Sequence, residues 1–310
     1  MKYLITGAGG FLGRALCAGL TAQLGDHHFI LADRAALSHT DPRAQCIQGD
    51  LHDAAMVDAI VAGVDVIFHL AAVPGGAAET DYASSRSTNL QASLKLLERA
   101  ALEPKPVRVV YASSIAVFGE PLPERIDDDT WPRPTLTYGV HKLMVCLALE
   151  NLTRLGQIDG LALHLPGLVA RPRSGTGMRS AFMSDVFHAM ANRERYVLPV
   201  RGEASAWFMS LSRCVDNLLH AAAIPAPPPG TRRYFTLPAV RASMHELVAA
   251  LAARLGVDPE SITYEGDERI EAQFGRLPPL STPLAQGLGF RSDGSIASLV
   301  QRALADAGYR

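Results

Sequence analysis

Short apolar runs alternate with longer amphipathic stretches along the first half of the chain. The runs at 2–6, 29–32, 44–48, 64–70 and 107–112 predict strands, and 161–169 predicts the last strong strand of this half. The stretches at 11–24, 54–62, 82–102 and 138–155 predict helices; in the third, Leu90, Leu94, Leu97 and Ala101 recur at helical spacing. Several of these strands are apolar throughout rather than alternating. Such strands are buried on both faces, so the pattern predicts a parallel sheet with helices on either side.

The pattern changes after Arg171. A Pro/Gly/Ser loop at 172–177 precedes a helix at 180–192, two short extended pieces and a helix at 212–223. Residues 225–230 include four prolines and read as a linker or surface loop. A strand at 234–237 and helices at 244–255 and 296–307 follow, with Ser243 and Glu246 spaced as a capping box. There is no internal repeat and no low-complexity tract. The expected organisation is a larger domain over 1–170 and a smaller α/β substrate-binding region over 171–310. Elements near 206–224 are expected to return to the first domain.

Composition narrows the function classes. With 48% hydrophobic and 19% charged residues, the 310-residue chain can bury a large core and falls outside the disordered class. A net charge of -2 argues against a nucleic-acid partner. Cys17, Cys46, Cys146 and Cys214 are too scattered for a disulfide framework or zinc site and read as reduced thiols. The best apolar stretch, 64–73, is broken by Asp65 and His69, so no membrane span is expected. No signal-peptide pattern precedes Gly7, and a cytoplasmic location follows as the expectation.

Candidate chemistry begins with Gly7, Gly10 and Gly13, set between the first strand and the first helix. Gly7 permits the tight turn, Gly10 lets a pyrophosphate approach the backbone, and Gly13 lets helix pack on sheet. The amides of Phe11 and Leu12 then face the pyrophosphate. This predicts a Rossmann-type, doubly wound parallel sheet that binds a dinucleotide. Asp33, 26 residues after Gly7, suits ribose hydroxyls and repels a 2′-phosphate, which favours NAD; Arg34 beside it could instead pair with that phosphate. Asp50, followed by Leu51, reads equally as an adenine contact or a helix N-cap. His69 reads as a packed strand-end histidine, with Leu70, Ala71 and Ala72 as a small-residue wall. Asp127, Asp128 and Asp129 are adjacent rather than patterned, a solvated loop and not a metal site.

Tyr138 and Lys142 stand four apart at the start of a helix and so share a face. A free phenol has pKa about 10, and a neighbouring ammonium lowers it toward usefulness as a base. Ser114, 24 residues upstream at a strand end, can hold the reacting oxygen.

On these motifs the chain resembles the extended short-chain dehydrogenase/reductase superfamily, the NAD-dependent epimerase/dehydratases. The resemblance is specific from Met1 to about Pro172 and looser beyond. Within the superfamily it looks most like the D-erythronate dehydrogenases. The softer signals for that are 113–123, 127–130, 214–222, 235–238 and 244–251. The resemblance implies Ser114, Tyr138 and Lys142 as catalytic residues. It implies an NAD site along Gly7, Gly10, Phe11, Leu12, Gly13, Asp33, Asp50, Leu51, Leu70, Ala71 and Ala72. Asn89 would lie near the reacting end, and Pro166, Gly167, Leu168 and Val169 at the nicotinamide. His164 stands where the superfamily often has arginine. A homodimer through the helices at 82–102 and 138–155 is also implied.

Three functions are weighed. The first is an NAD-dependent dehydrogenase of a small sugar acid, D-erythronate being the best fit. The second is a nucleotide-sugar epimerase or dehydratase, and the third a dinucleotide sensor without chemistry. The intact Ser114/Tyr138/Lys142 set argues against the sensor. A small acid must be gripped by its carboxylate, with Ser174, Arg179 and Ser180 as candidate donors. Val73 and Pro74 would form the opposite wall, Ile115 would sit beside Ser114, and Trp207 would serve as a lid.

Overall fold

A computed structural model describes residues 1–22, 25–173, 179–228 and 230–309. The elements in chain order are β1 (Lys2–Thr6), α1 (Phe11–Thr21), β2 (His28–Asp33), β3 (Ala44–Gln48), α2 (Ala54–Val61) and β4 (Val66–His69). Next come α3 (Gly75–Thr80), α4 (Tyr82–Ser85), a π-helical turn (Arg86–Ala92), α5 (Ser93–Ala100), β5 (Val107–Ser114), α6 (Thr137–Arg154), β6 (Ile158–Leu165) and β7 (Gly167–Leu168). The remainder is α7 (Phe182–Ala191), β8 (Tyr196–Leu198), β9 (Ser205–Met209), α8 (Leu211–Ala223), β10 (Tyr234–Thr236), β11 (Val240–Ser243), α9 (Met244–Leu255), β12 (Ile262–Tyr264), α10 (Glu268–Phe274), α11 (Pro283–Gly287) and α12 (Ile296–Asp306).

The helix starts follow local chemistry. Asp53 caps α2 by accepting from the amides of Ala55 and Met56, and Ser243 with Glu246 forms the full capping box of α9. Two expectations are revised by tertiary context. The single helix expected at 82–102 is α4 and α5 joined by the π turn, because Ser93 Oγ takes the Asn89 carbonyl that an α-helix would use. The strand expected at 161–169 is two strands in two sheets, broken at Pro166. The helix expected to reach 24 ends at Thr21; residues 23–24, most of the 172–177 loop and Pro229 lie outside the described residues.

The chain divides into two compact units, and not by a single cut near residue 170: Met1–Val117, Pro134–His164 and Asn217–Phe235 form the first, and the rest forms the second. The first is the doubly wound α/β unit. Its seven strands run in the order β10-β6-β5-β4-β1-β2-β3, with β3, β2, β1, β4 and β5 pairing parallel. Its core packs Leu4, Ile30, Ile67 and Val109 of the sheet with Val57, Leu96, Val145 and Leu149 of the helices. The segment 217–235 belongs here because the Ala162 amide donates to the Arg233 carbonyl and Arg108 donates to the Ala221 and Ile224 carbonyls.

The second unit has a three-stranded sheet, β11-β9-β7, and the pair β12-β8, packed on α7, α9 and α12. It takes in 118–133, which the sequence pattern leaves with the first unit. The Ile126 amide donates to the Pro279 carbonyl, its carbonyl accepts from Ser281, and Asp128 accepts from the Leu284 amide. Among the described residues, no helix is long and apolar enough to cross a membrane. All four cysteines carry free thiols.

Candidate active site

In the first unit the strand order reverses at β1, which has β4 on one side and β2 on the other. A crevice opens at such a reversal, beyond the carboxyl ends of the strands. Thr6, Gly7 and Gly10 line it from the β1 loop, Asp33 and Arg34 from β2, and Asp50 and Leu51 from the loop after β3. Leu70, Ala71 and Ala72 close the β4 side, and Thr88 and Ala92 look in from the π turn. Gly7 has φ +73, and a Cβ on it would stand 2.7 Å from the Ala71 amide nitrogen. A Cβ on Gly13 would strike the Gly7 carbonyl, so helix α1 lies as close to the strand as backbone allows. Gly10 caps α1 without a side chain, leaving the first-turn amides, those of Phe11 and Leu12 included, for an anion. Asp33 accepts from the Gly9 and Ala35 amides, which aims its carboxylate at the crevice rim. Glycine cradle, uncapped helix start and rim carboxylate together fit a dinucleotide. The N-cap reading of Asp50 is corrected: Asp53 caps α2, and the Asp50 carboxylate accepts from the His52 amide while lining the crevice.

The candidate catalytic set is built on β5 and α6 of the same unit. Lys142 is 2% exposed; its Nζ donates to the Ala112 carbonyl at 2.7 Å and lies 4.7 Å from the Tyr111 ring centre and 5.5 Å from that of Tyr138. Burial pulls its ammonium down to about 8. Ser114 ends β5, and its Oγ accepts from the Ala116 amide, which leaves the hydroxyl proton to donate outward. Gly139 follows Tyr138, and a Cβ there would collide with the Ala116 carbonyl; helix α6 therefore rests directly on the turn after Ser114. The short helix α3, which the sequence pattern did not reveal, reaches the same place. Glu79 accepts from the Tyr138 amide at 3.2 Å, standing in for the side-chain cap that Leu136 cannot supply.

Beneath this set lies a second polar group that sequence reasoning missed. Ser113 Oγ is 3.0 Å from His164 Nδ1, and the Cys146 thiol donates to the same oxygen. His164, where arginine was expected, thus anchors the end of β6 as a neutral ring; burial holds its pKa at about 3. His69 is likewise packed and neutral, pushed down to about 3 by burial and then by Lys142, with its ring stacked on Tyr111.

Asn89 is 1% exposed, and its amide is engaged with the Val73 backbone and Ser85 Oγ. Val73 is buried in the same unit, Pro74 starts α3, and Ile115 follows Ser114 in a 3-10 turn. Pro166, Gly167, Leu168, Val169, Arg179, Ser180 and Trp207 lie in the second unit. There Gly167 and Leu168 pair with Phe208 and Met209. Ser180 Oγ takes a long 3.5 Å hydrogen bond from Arg171, and Arg179 is exposed. The lid role of Trp207 is corrected: the ring is fully buried, and its Nε1 donates to the Pro278 carbonyl at 2.7 Å, so it is fixed core. Ser174 lies outside the described residues. Among the described residues, no group of three or more His, Cys, Asp or Glu is placed to hold a metal.

Comparison with known proteins places the chain in a family. The model of the NAD dependent epimerase/dehydratase family matches residues 3–228. The D-erythronate dehydrogenase of Haemophilus influenzae is 32% identical over 309 residues, covering 97% of this chain and 98% of that protein. The D-erythronate dehydrogenase of Cupriavidus necator is 33% identical, with 99% of each chain covered. Among solved structures, a nucleoside-diphosphate-sugar epimerase from Agrobacterium tumefaciens superposes with a TM-score of 0.91 at 30% identity, covering 99% of this chain and 94% of that one.

Gly139→Ala should lower turnover by at least about tenfold while leaving the chain folded, since the added methyl forces α6 off the Ala116 carbonyl. Steady-state kinetics beside a thermal melt checks it. Stability should also fall as pH drops below about 6.5. The unfolded chain then protonates His69 and His164, while both folded rings, at about 3, do not. Each contributes about 1.4 kcal/mol per pH unit in that window. Melting temperatures at pH 7.5 and about 5.5 test the sign, and a His164→Phe variant should show the shallower slope.

Proposed function

This chain belongs to the NAD-dependent epimerase/dehydratase family, and from that premise we propose that it is a dehydrogenase of a small sugar acid. The chain is an NAD-dependent oxidoreductase acting on a CH–OH group. The proposed substrate is D-erythronate, oxidised at its C2 hydroxyl to the 2-oxo acid. The end-to-end match to two proteins named D-erythronate dehydrogenase carries this reading.

The chemistry follows from the side chains. Tyr138 takes the C2 hydroxyl proton as the carbon–hydrogen bond breaks. Lys142, held under the phenol by the Ala112 carbonyl, favours the phenolate by its charge. Ser114 accepts from the Ala116 amide and donates its proton to the reacting oxygen. NAD, held by the glycine loop, the start of α1, Asp33 and the wall at Leu70–Ala72, supplies the hydride acceptor. Each turnover yields the 2-oxo acid, NADH and one proton. Homodimerisation is part of the same proposal. Helix α6 leaves Val140, Met144 and Leu147 exposed at the i, i+4, i+7 spacing of one stripe, with Tyr82 exposed on α4.

Incubation with NAD and D-erythronate should raise reduced-nicotinamide absorbance, with NADP markedly poorer because Asp33 opposes a 2′-phosphate. Tyr138→Phe should cut turnover by about 10² or more while leaving NAD affinity unchanged. Epimerisation of a nucleotide sugar with no net NADH, and indifference to four-carbon aldonates, would overturn the substrate assignment. Light scattering behind a sizing column should give twice the 33.2 kDa chain mass; a monomer mass refutes the dimer.

A further inference from the structure

A set of hydroxyl, imidazole and amide groups runs unbroken behind the dinucleotide crevice. Thr6 Oγ1 lies 2.7 Å from His69 Nδ1, His69 Nε2 lies 2.8 Å from Ser93 Oγ, and Ser93 Oγ donates to the Asn89 carbonyl at 2.9 Å. The Asn89 amide accepts from the Val73 amide at 2.7 Å and donates to the Val73 carbonyl at 3.0 Å and to Ser85 Oγ at 3.2 Å. Ser85 Oγ in turn lies 3.0 Å from His141 Nδ1 on α6, between Tyr138 and Lys142. Thr6, His69, Ser85, Asn89, Ser93 and His141 are all buried.

Donor and acceptor logic fixes the sense of the first arm. Ser93 spends its proton on Asn89, so it must accept from His69 Nε2–H; His69 Nδ1 is then a lone pair that accepts from Thr6. Asn89 spends both amide protons, one of them on Ser85, whose Oγ then pairs with His141 Nδ1. His69 is assigned as the neutral Nε2–H tautomer. The π turn presents Thr88 and Ala92 to the crevice, and the residues next to each, Asn89 and Ser93, hold it from behind. One arm of the network ends on β1 below the glycine loop, and the other ends on the catalytic helix.

We propose that Asn89 is a positioning residue, the hub of one buried network that ties the crevice wall to the catalytic helix. Two hydroxyls outside the crevice, Ser93 and Ser85, thereby set dinucleotide affinity. The inference rests on the dinucleotide site described above and not on the identity of the sugar acid. Each arm acts through the same seat of Asn89 and Val73. Loosening one arm lets the hub shift, and the second arm then has less to hold, so the two effects are not independent.

The test is a fluorescence titration of the full chain with NADH, which needs no sugar acid and so reads separately from the substrate assignment. Ser93→Ala and Ser85→Ala should each weaken NADH binding by about three- to tenfold. The double variant should lose less than the product of the two single losses. A role confined to stability would lower the melting temperature of the variants without moving their affinity for NADH. The proposal falls if both folded single variants bind within about twofold of wild type, or if the double loss equals the product. Should either serine variant not fold, His69→Phe breaks the first arm and His141→Phe breaks the second, with the same outcomes deciding.

Discussion

The first unit is organised around one costly act, the burial of the Lys142 ammonium. An ammonium out of water needs electrostatic compensation, and here it receives a carbonyl and two aromatic faces. Each of these partners is fixed by something larger. The Ala112 carbonyl belongs to the fifth strand, the Tyr111 ring is stacked on His69, and Tyr138 rides one helical turn before the lysine. The charge is thereby held at a set height beneath the phenol.

A second constraint follows from the first. No other cation can share that interior cheaply, so the polar groups around Lys142 are neutral ones. His69, which feels the Lys142 charge, and His164, which feels that of Arg232, are both buried and stay uncharged at any ordinary pH. Neutral imidazole accepts on one side and donates on the other, so His69, bonded through both nitrogens, passes hydrogen-bond direction along a chain without adding charge. Serine hydroxyls and the Cys146 thiol complete these chains. The interior is thus polar where it holds backbone in place and apolar where the helices pack on the sheet.

Much of this was legible in the residues, and the exceptions have physical causes. Fully apolar runs mark buried strands, and the Gly7/Gly10/Gly13 spacing has few other uses between a strand and a helix. The Tyr138–Lys142 interval shows a shared face directly. Asp50 and Asp53 both precede α2, and only the turn geometry decides which one caps it. Trp207 looks like a lid because sequence cannot tell a buried indole from an exposed one; the Pro278 carbonyl that fixes it is 71 residues away. The assignment of 118–133 to the second unit rests on backbone pairing of Ile126 with 279–281, which no local pattern encodes. A trace of the π-turn network was present all the same. Ser85, Asn89 and Ser93 repeat at i, i+4 and i+8 beside the apolar stripe of the same stretch, a polar line on the face of a helix that has no need to meet water.

The same machinery serves a dehydrogenase and an epimerase equally well up to the first hydride transfer. In the proposed mechanism Tyr138, Ser114 and Lys142 act on an alcohol carbon and its proton, and none of them senses what the rest of the substrate carries. The two reactions part only afterwards, according to whether the oxidised product leaves or is held and reduced again. That choice depends on grip. A nucleotide sugar is retained by a large nucleoside diphosphate remote from the reacting carbon, whereas a four-carbon acid has only its carboxylate and hydroxyls. A site for so small an acid releases its ketone readily and accumulates NADH. Net cofactor reduction is therefore the physical signature of a weakly held product, and it separates the two members of one family more sharply than fold or motif can.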